Sequence, residues 1–190
     1  MRKAAPILLA LLAGCGGYVG PDTLDGGPRW HLDRPFYIDV SSTMPKPQLV
    51  LQGMRRAVSR AGGTTTLDEG AGQVLTLLDT DGSYCQRKGV EAWAALPATG
   101  KIYFCHSALV LASYTLDQID DIAAHELGHV LANRGDHLGG EPAPGDCPSH
   151  AIMASNRTCR TSEDYTSEDR DYICNSHNVV GGICQPRQMP

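Results

Sequence analysis

Few five-residue stretches constrain a fold as tightly as His125-Glu126-Leu127-Gly128-His129. On an α-helix, histidines four positions apart lie about 40° apart around the axis, so their imidazoles converge and can share one metal ion. Glu126 sits about 100° from His125 on the same half of the helix. Its carboxylate then lies beside the metal, placed to accept a proton from a water that Zn2+ activates. The bland alternative is a helix with two unrelated surface histidines. At ordinary residue frequencies the pattern arises by chance at roughly one position in 30,000, so the metal reading stands provided that a helix carries it.

The flanking residues predict that helix, from about Leu116 to Asn133. Thr115 or Asp117 can serve as N-cap, and Asp117, Asp120 and Asp121 place negative charge in the first turns, where the helix dipole favours it. Ile119, Ala123, Leu127, Val130 and Leu131 share an apolar arc, with the two histidines on the other side. Asn133 and Gly135 are stop signals. Gly128 weakens the helix, and a glycine there allows close packing against a neighbouring strand.

The N-terminus addresses the chain to export. Met1-Arg2-Lys3 precedes an apolar run from Ala4 to Ala13, which is too short to span a bilayer as a helix. Leu12-Ala13-Gly14-Cys15 resembles a bacterial lipobox, which implies lipidation at Cys15; the alternative is an ordinary signal peptide with an incidental cysteine. Gly16 is not the aspartate that signals inner-membrane retention in such lipoproteins, so the resemblance implies the outer membrane, on its periplasmic or outer side. The expected organisation is a signal peptide over 1–14, a lipidated flexible tether over 15–35, rich in Gly, Pro and Asp, and one folded domain over 36–190. Without Arg2 and Lys3 the formal charge moves from −5 to −7, which argues against a nucleic-acid partner. Arg55, Arg56 and Arg60 are spaced as a solvated helix face.

Of the seven cysteines, assigning Cys15 to lipid leaves Cys85, Cys105, Cys147, Cys159, Cys174 and Cys184. An even set in an exported chain reads as three disulfides. Six cysteines allow 15 connectivities; local pairs, Cys85–Cys105, Cys147–Cys159 and Cys174–Cys184, are the preferred reading. A Cys-rich zinc site is the competing one, but no CxxC spacing supports it.

Along the chain, strands are predicted at Phe36–Val40, Val74–Leu78, Ala92–Ala95 and Lys101–Cys105, with a helix from about Pro47 to Ala61. Thr166-Ser167-Glu168 opens a last helix that runs to about Cys174. The expected class is α+β: a small twisted mixed sheet packed on two helices, then a loop-rich C-terminal part with a final helix, held by disulfides.

The chain resembles the metzincin zinc peptidases, the matrixin-like members especially. His125, Glu126 and His129 match the first half of the HExxHxxGxxH motif. Met153 in Ala151-Ile152-Met153-Ala154 is similar to the methionine turn beneath the zinc, and Tyr165–Cys174 is similar to the closing helix. The family pattern would place glycine at 132 and histidine at 135, where this chain has Ala132 and Gly135. His137 becomes the candidate third ligand if the chain turns through Asn133 or Gly135 in a left-handed conformation. Asp136 is the alternative, as ligand or as a hydrogen-bond partner of a ligand histidine, followed by His150 or a later glutamate. The resemblance implies a Zn2+ endopeptidase, monomeric, with Glu126 as base and a peptide or protein substrate extended along an edge strand, for which Gly100–Cys105 is the candidate. Ser155 stands where astacin-like members carry a tyrosine ligand. Two other readings are a gluzincin-type hydrolase with Glu141, Glu163 or Glu168 as third ligand, and an inactive zinc-binding lipoprotein that binds a partner. His31, His106 and His177 read as surface or edge-strand histidines.

Overall fold

A computed structural model of the chain describes residues 22–24, 27–87, 90–97, 99–138, 147, 149–154, 160, 164–175 and 178–185. The signal peptide, Cys15, Cys159, Glu141, Glu163, Ser155 and His177 lie outside the described residues. The fold is mixed α and β.

The central sheet has five strands: β3 (Phe36–Val40), β4 (Thr65–Thr66), β5 (Gln73–Thr80), β6 (Ala92–Ala94) and β7 (Lys101–Cys105), in the order β4-β3-β5-β7-β6. The first four of that order run parallel, and β6 pairs antiparallel with β7 at one edge. Along β3 and β5 side chains alternate in burial, Phe36, Ile38, Leu75 and Leu77 facing the core. This is the period of a half-buried strand. Helices α1 (Pro47–Arg60) and α3 (Leu116–Ala132) pack on that face and against each other. Gly53 makes their approach possible, since a Cβ there would lie 2.6 Å from Ile119 Cγ2.

Part of the expected tether belongs to the fold. Strand β1 (Asp22–Leu24) pairs with β2 (Gly27–His31), and β2 pairs in parallel with β8 (Val179–Val180). Trp30 is buried and stacks on Phe36 at 5.9 Å, and Leu32 is buried beside it. Two apolar anchors among Gly, Pro and Asp make no periodic pattern, yet they suffice to bury this segment. A short helix, α2 (His106–Leu111), continues directly from β7, where no element is expected from the sequence. Its Leu109 is buried. The C-terminal part contains helix α4 (Ser167–Cys174). Disulfides join Cys85 to Cys105 and Cys174 to Cys184, and Cys147 is also disulfide-bonded. Among the described residues no helix is long and apolar enough to cross a membrane.

Candidate metal centre

Thr115, not Asp117, is the N-cap of helix α3. Thr115 Oγ1 accepts from the Gln118 amide and Gln118 Oε1 accepts from the Thr115 amide, a reciprocal capping box. The helix ends at Ala132, and Asn133 turns the chain with φ 51° and ψ 40°. Asparagine tolerates this left-handed conformation better than most residues. Gly135 keeps a negative φ.

His125, His129 and His137 are brought together. Their ligand-capable atoms all lie within 4.8 Å of one another, and the His125 and His129 Nε2 atoms are 3.1 Å apart. His125 Nδ1 lies 2.7 Å from the Ile152 carbonyl oxygen and His129 Nδ1 lies 2.7 Å from that of Arg134. Carbonyls only accept, so both rings carry their proton on Nδ1 and turn Nε2 lone pairs toward each other. Two facing lone pairs repel unless a cation lies between them. Burial lowers the pKa of both rings, His125 well below the ordinary range and His129 to about 4, so both are neutral at neutral pH. Neutral imidazole is the form that binds metals. The three histidines could therefore hold a metal ion, and the donor set fits one.

Asp136 is not in this cluster. Its carboxylate accepts a two-pronged contact from Arg134, at 3.0 Å from Nε and 2.7 Å from Nη2, and its side chain is 58% exposed. Glu168 accepts from Ser149 Oγ at 2.8 Å, and neither it nor His150 joins the three histidines.

Glu126 is buried next to the histidines. Burial raises its carboxyl pKa to about 7, against the opposing pull of the Arg160 charge and a hydrogen bond from the Ala94 backbone. Beneath the helix lies the turn Ala151–Ala154. A Cβ at position 128 would sit 2.1 Å from Met153 Sδ, so Gly128 makes room for this methionine and not for a strand. The buried carboxylate of Asp169, in α4, accepts from the Ile152 and Met153 amides at 3.2 and 2.8 Å and from the Thr166 amide at 2.8 Å. Tyr165 donates to the Ala124 carbonyl of α3 at 2.6 Å. The carbonyl that orients His125 is thus fixed from α4.

The cluster opens into a cleft of about 780 Å³ bounded by Trp93, Ala94, Leu96, Ile122, His137 and Arg160 among others. Strand β7 is interior, so it cannot be the edge strand expected from Gly100–Cys105; among the described residues the sheet edge beside it is β6. The bonds from Ala95 N to Lys101 O and from Cys105 N to Glu91 O set the alternation of this antiparallel ladder. Trp93 therefore faces β7, while Ala92 and Ala94 direct their backbone groups outward. The Ala94 amide is used by Glu126, which among the described residues leaves the Ala92 amide and both carbonyls along the cleft.

The roles of Asp169 and Arg160 escape sequence reading, because each acts through a partner distant in the chain. His106 and His31 stand apart from the cluster: His106 pairs with Asp79 at 2.9 Å and His31 lies 3.5 Å from Asp33. Compared with known families and curated proteins, the chain matches no family model and no curated sequence.

Proposed function

We propose that this chain is a zinc-dependent endopeptidase of the metzincin kind, exported and held at the outer membrane by lipid on Cys15. One observation carries the catalytic reading: three imidazole nitrogens converge beside a buried carboxylate, on the floor of a cleft whose wall is an open strand edge. His125, His129 and His137 would hold the ion. Bound there, Zn2+ supplies Lewis acidity toward water and toward a peptide carbonyl.

The chain's own residues supply the rest. The outward carbonyls of Ala92 and Ala94 and the Ala92 amide bind an extended peptide backbone as an added strand. Glu126 accepts the proton of the attacking water and delivers it to the leaving amine. Ala94 orients the carboxylate through its amide, and the carbonyls of Ile152 and Arg134 keep His125 and His129 in the tautomer that presents Nε2. Ile122 and Leu96 line the same cleft as apolar contacts for substrate side chains.

The test is Glu126→Gln in the full chain, with zinc content and cleavage of a peptide library measured together. The variant should retain zinc and lose hydrolysis by several orders of magnitude. Zinc-loaded unmutated protein that cleaves no library member would overturn the peptidase reading in favour of a binding protein. For the anchor, incorporation of labelled fatty acid should vanish in Cys15→Ser.

A further inference from the structure

The stretch from His129 to His137 is two residues longer than the resembling family's pattern, so this chain needs its own means of holding extra backbone. Asn133, Arg134 and Gly135 are polar or flexible, and a loop of that composition does not fix a ligand by itself. The structure contains a specific fastening. Tyr172, buried in α4, donates its hydroxyl proton to the Asp136 carbonyl at 2.6 Å and also lies 3.2 Å from the Arg134 carbonyl. The Arg134 guanidinium sits over the Tyr172 ring, 4.7 Å from its centre, and grips both carboxylate oxygens of Asp136. On the far side of His137, the Leu138 amide donates to the Met153 carbonyl at 3.0 Å. His137 is thus bracketed by backbone bonds on both neighbours, one to α4 and one to the methionine turn.

We propose that Tyr172, together with the Arg134–Asp136 pair, is a clamp that positions His137 as the third metal ligand, and that this clamp is what makes the lengthened ligand spacing workable. Asp136 contributes its backbone carbonyl and its grip on Arg134, not a bond to the metal. The hydroxyl has one proton, and the 2.6 Å contact with Asp136 claims it. Tyr172 is also 3.2 Å from His129 Nδ1, but the His129 proton already has the nearer Arg134 carbonyl at 2.7 Å. The main effect of Tyr172 therefore runs through the loop and His137. Partners that orient a ligand typically change metal affinity by roughly 10–100-fold when removed.

This inference rests on the metal reading of the three histidines and not on peptide hydrolysis. The test is a double-mutant cycle in the purified full chain, with Zn2+ affinity read by competition against a chromophoric chelator and the thermal midpoint of the metal-free protein read in parallel. Tyr172→Phe keeps the ring under Arg134 and removes the hydroxyl. It should weaken Zn2+ binding about tenfold while the metal-free midpoint moves by no more than about 2 °C. In a His137→Ala background the same change should cost nothing further. Unchanged affinity in Tyr172→Phe overturns the clamp, and so does an equal loss in the His137→Ala background, which would assign the effect to His129. Unmutated protein that binds no Zn2+ overturns the metal reading itself, which separates the two failures. Should Tyr172→Phe not fold, Arg134→Met enters the same cycle with the same expectations.

Discussion

Replacing Gly128 by alanine sets two effects of known sign against each other. Glycine inside a helix is about 1 kcal/mol less favourable than alanine, so propensity alone predicts a more stable protein. The structure predicts the reverse. The new methyl carbon would lie 2.1 Å from Met153 Sδ and 3.0 Å from its Cε, whereas carbon and sulfur atoms in contact normally keep about 3.5–4 Å. The sulfur would have to retreat by more than about 1 Å, and Met153 has little freedom to do so. It is fully buried, its amide is bound to Asp169 at 2.8 Å, and its carbonyl receives the Leu138 amide at 3.0 Å. Overpacking of a tight core costs about 1–3 kcal/mol, and pinning at both backbone groups places this site in the upper half of that range. The net loss is then about 1–2 kcal/mol, a fall in thermal midpoint of about 2–8 °C for a domain of this size. Urea unfolding of metal-free protein with its disulfides intact measures it. In a Met153→Ala background the obstructing atoms are gone, so Gly128→Ala should stabilise by about 1 kcal/mol, a coupling of about 2–3 kcal/mol. A rise in stability in the unmutated background, or equal effects in both backgrounds, would refute the packing account.

Asp169→Ala leaves the buried Ile152 and Met153 amides unpaired, at about 1–3 kcal/mol each. Unfolding free energy should fall by at least about 2 kcal/mol, and metal affinity should fall with it, because Ile152 then no longer fixes His125. For Asp79, desolvation raises the carboxyl pKa, but hydrogen bonds from Thr43, His106 and Ser41 together outweigh it and hold the group below its ordinary 3.8. A depressed folded-state pKa stabilises above the unfolded value and is lost as pH falls through the folded one. The stability gap between unmutated protein and Asp79→Asn should thus be widest above about pH 5 and shrink as pH falls through the lowered folded-state range; a gap that stays constant across a pH series of unfolding curves counts against this. Cys85 and Cys105 are 20 residues apart, so the paired serine variant should lose about 3 kcal/mol of stability. The segment they enclose carries Arg87 and Glu91 of the cleft wall, and limited proteolysis should cut there first.

Elements with a full period of burial are legible in the sequence. Helix α3 shows its cap, its acidic first turn and its apolar arc in sequence, and α1, β3 and β7 show theirs. Where burial rests on one or two residues the sequence is silent. Trp30 and Leu32 anchor a strand inside a Gly/Pro-rich stretch, and α2 is too short to display a repeat. Strand β6 is three residues long, so its place at the sheet edge depends on antiparallel pairing with β7, a long-range choice with no local signature.

The proposed third ligand shows the same limit at the scale of one side chain. Asp136 and His137 are adjacent, both chemically competent, and both displaced from the spacing of the motif that the chain resembles. Their positions in the sequence alone do not separate them. The choice is made by Arg134, which draws the Asp136 carboxylate outward, and by Tyr172, which holds the Asp136 carbonyl from a helix 36 positions further on. A metal site is defined by where donor atoms converge and by what holds them there. A two-residue change in spacing is therefore tolerable wherever the chain also supplies the groups that return its backbone to the same point.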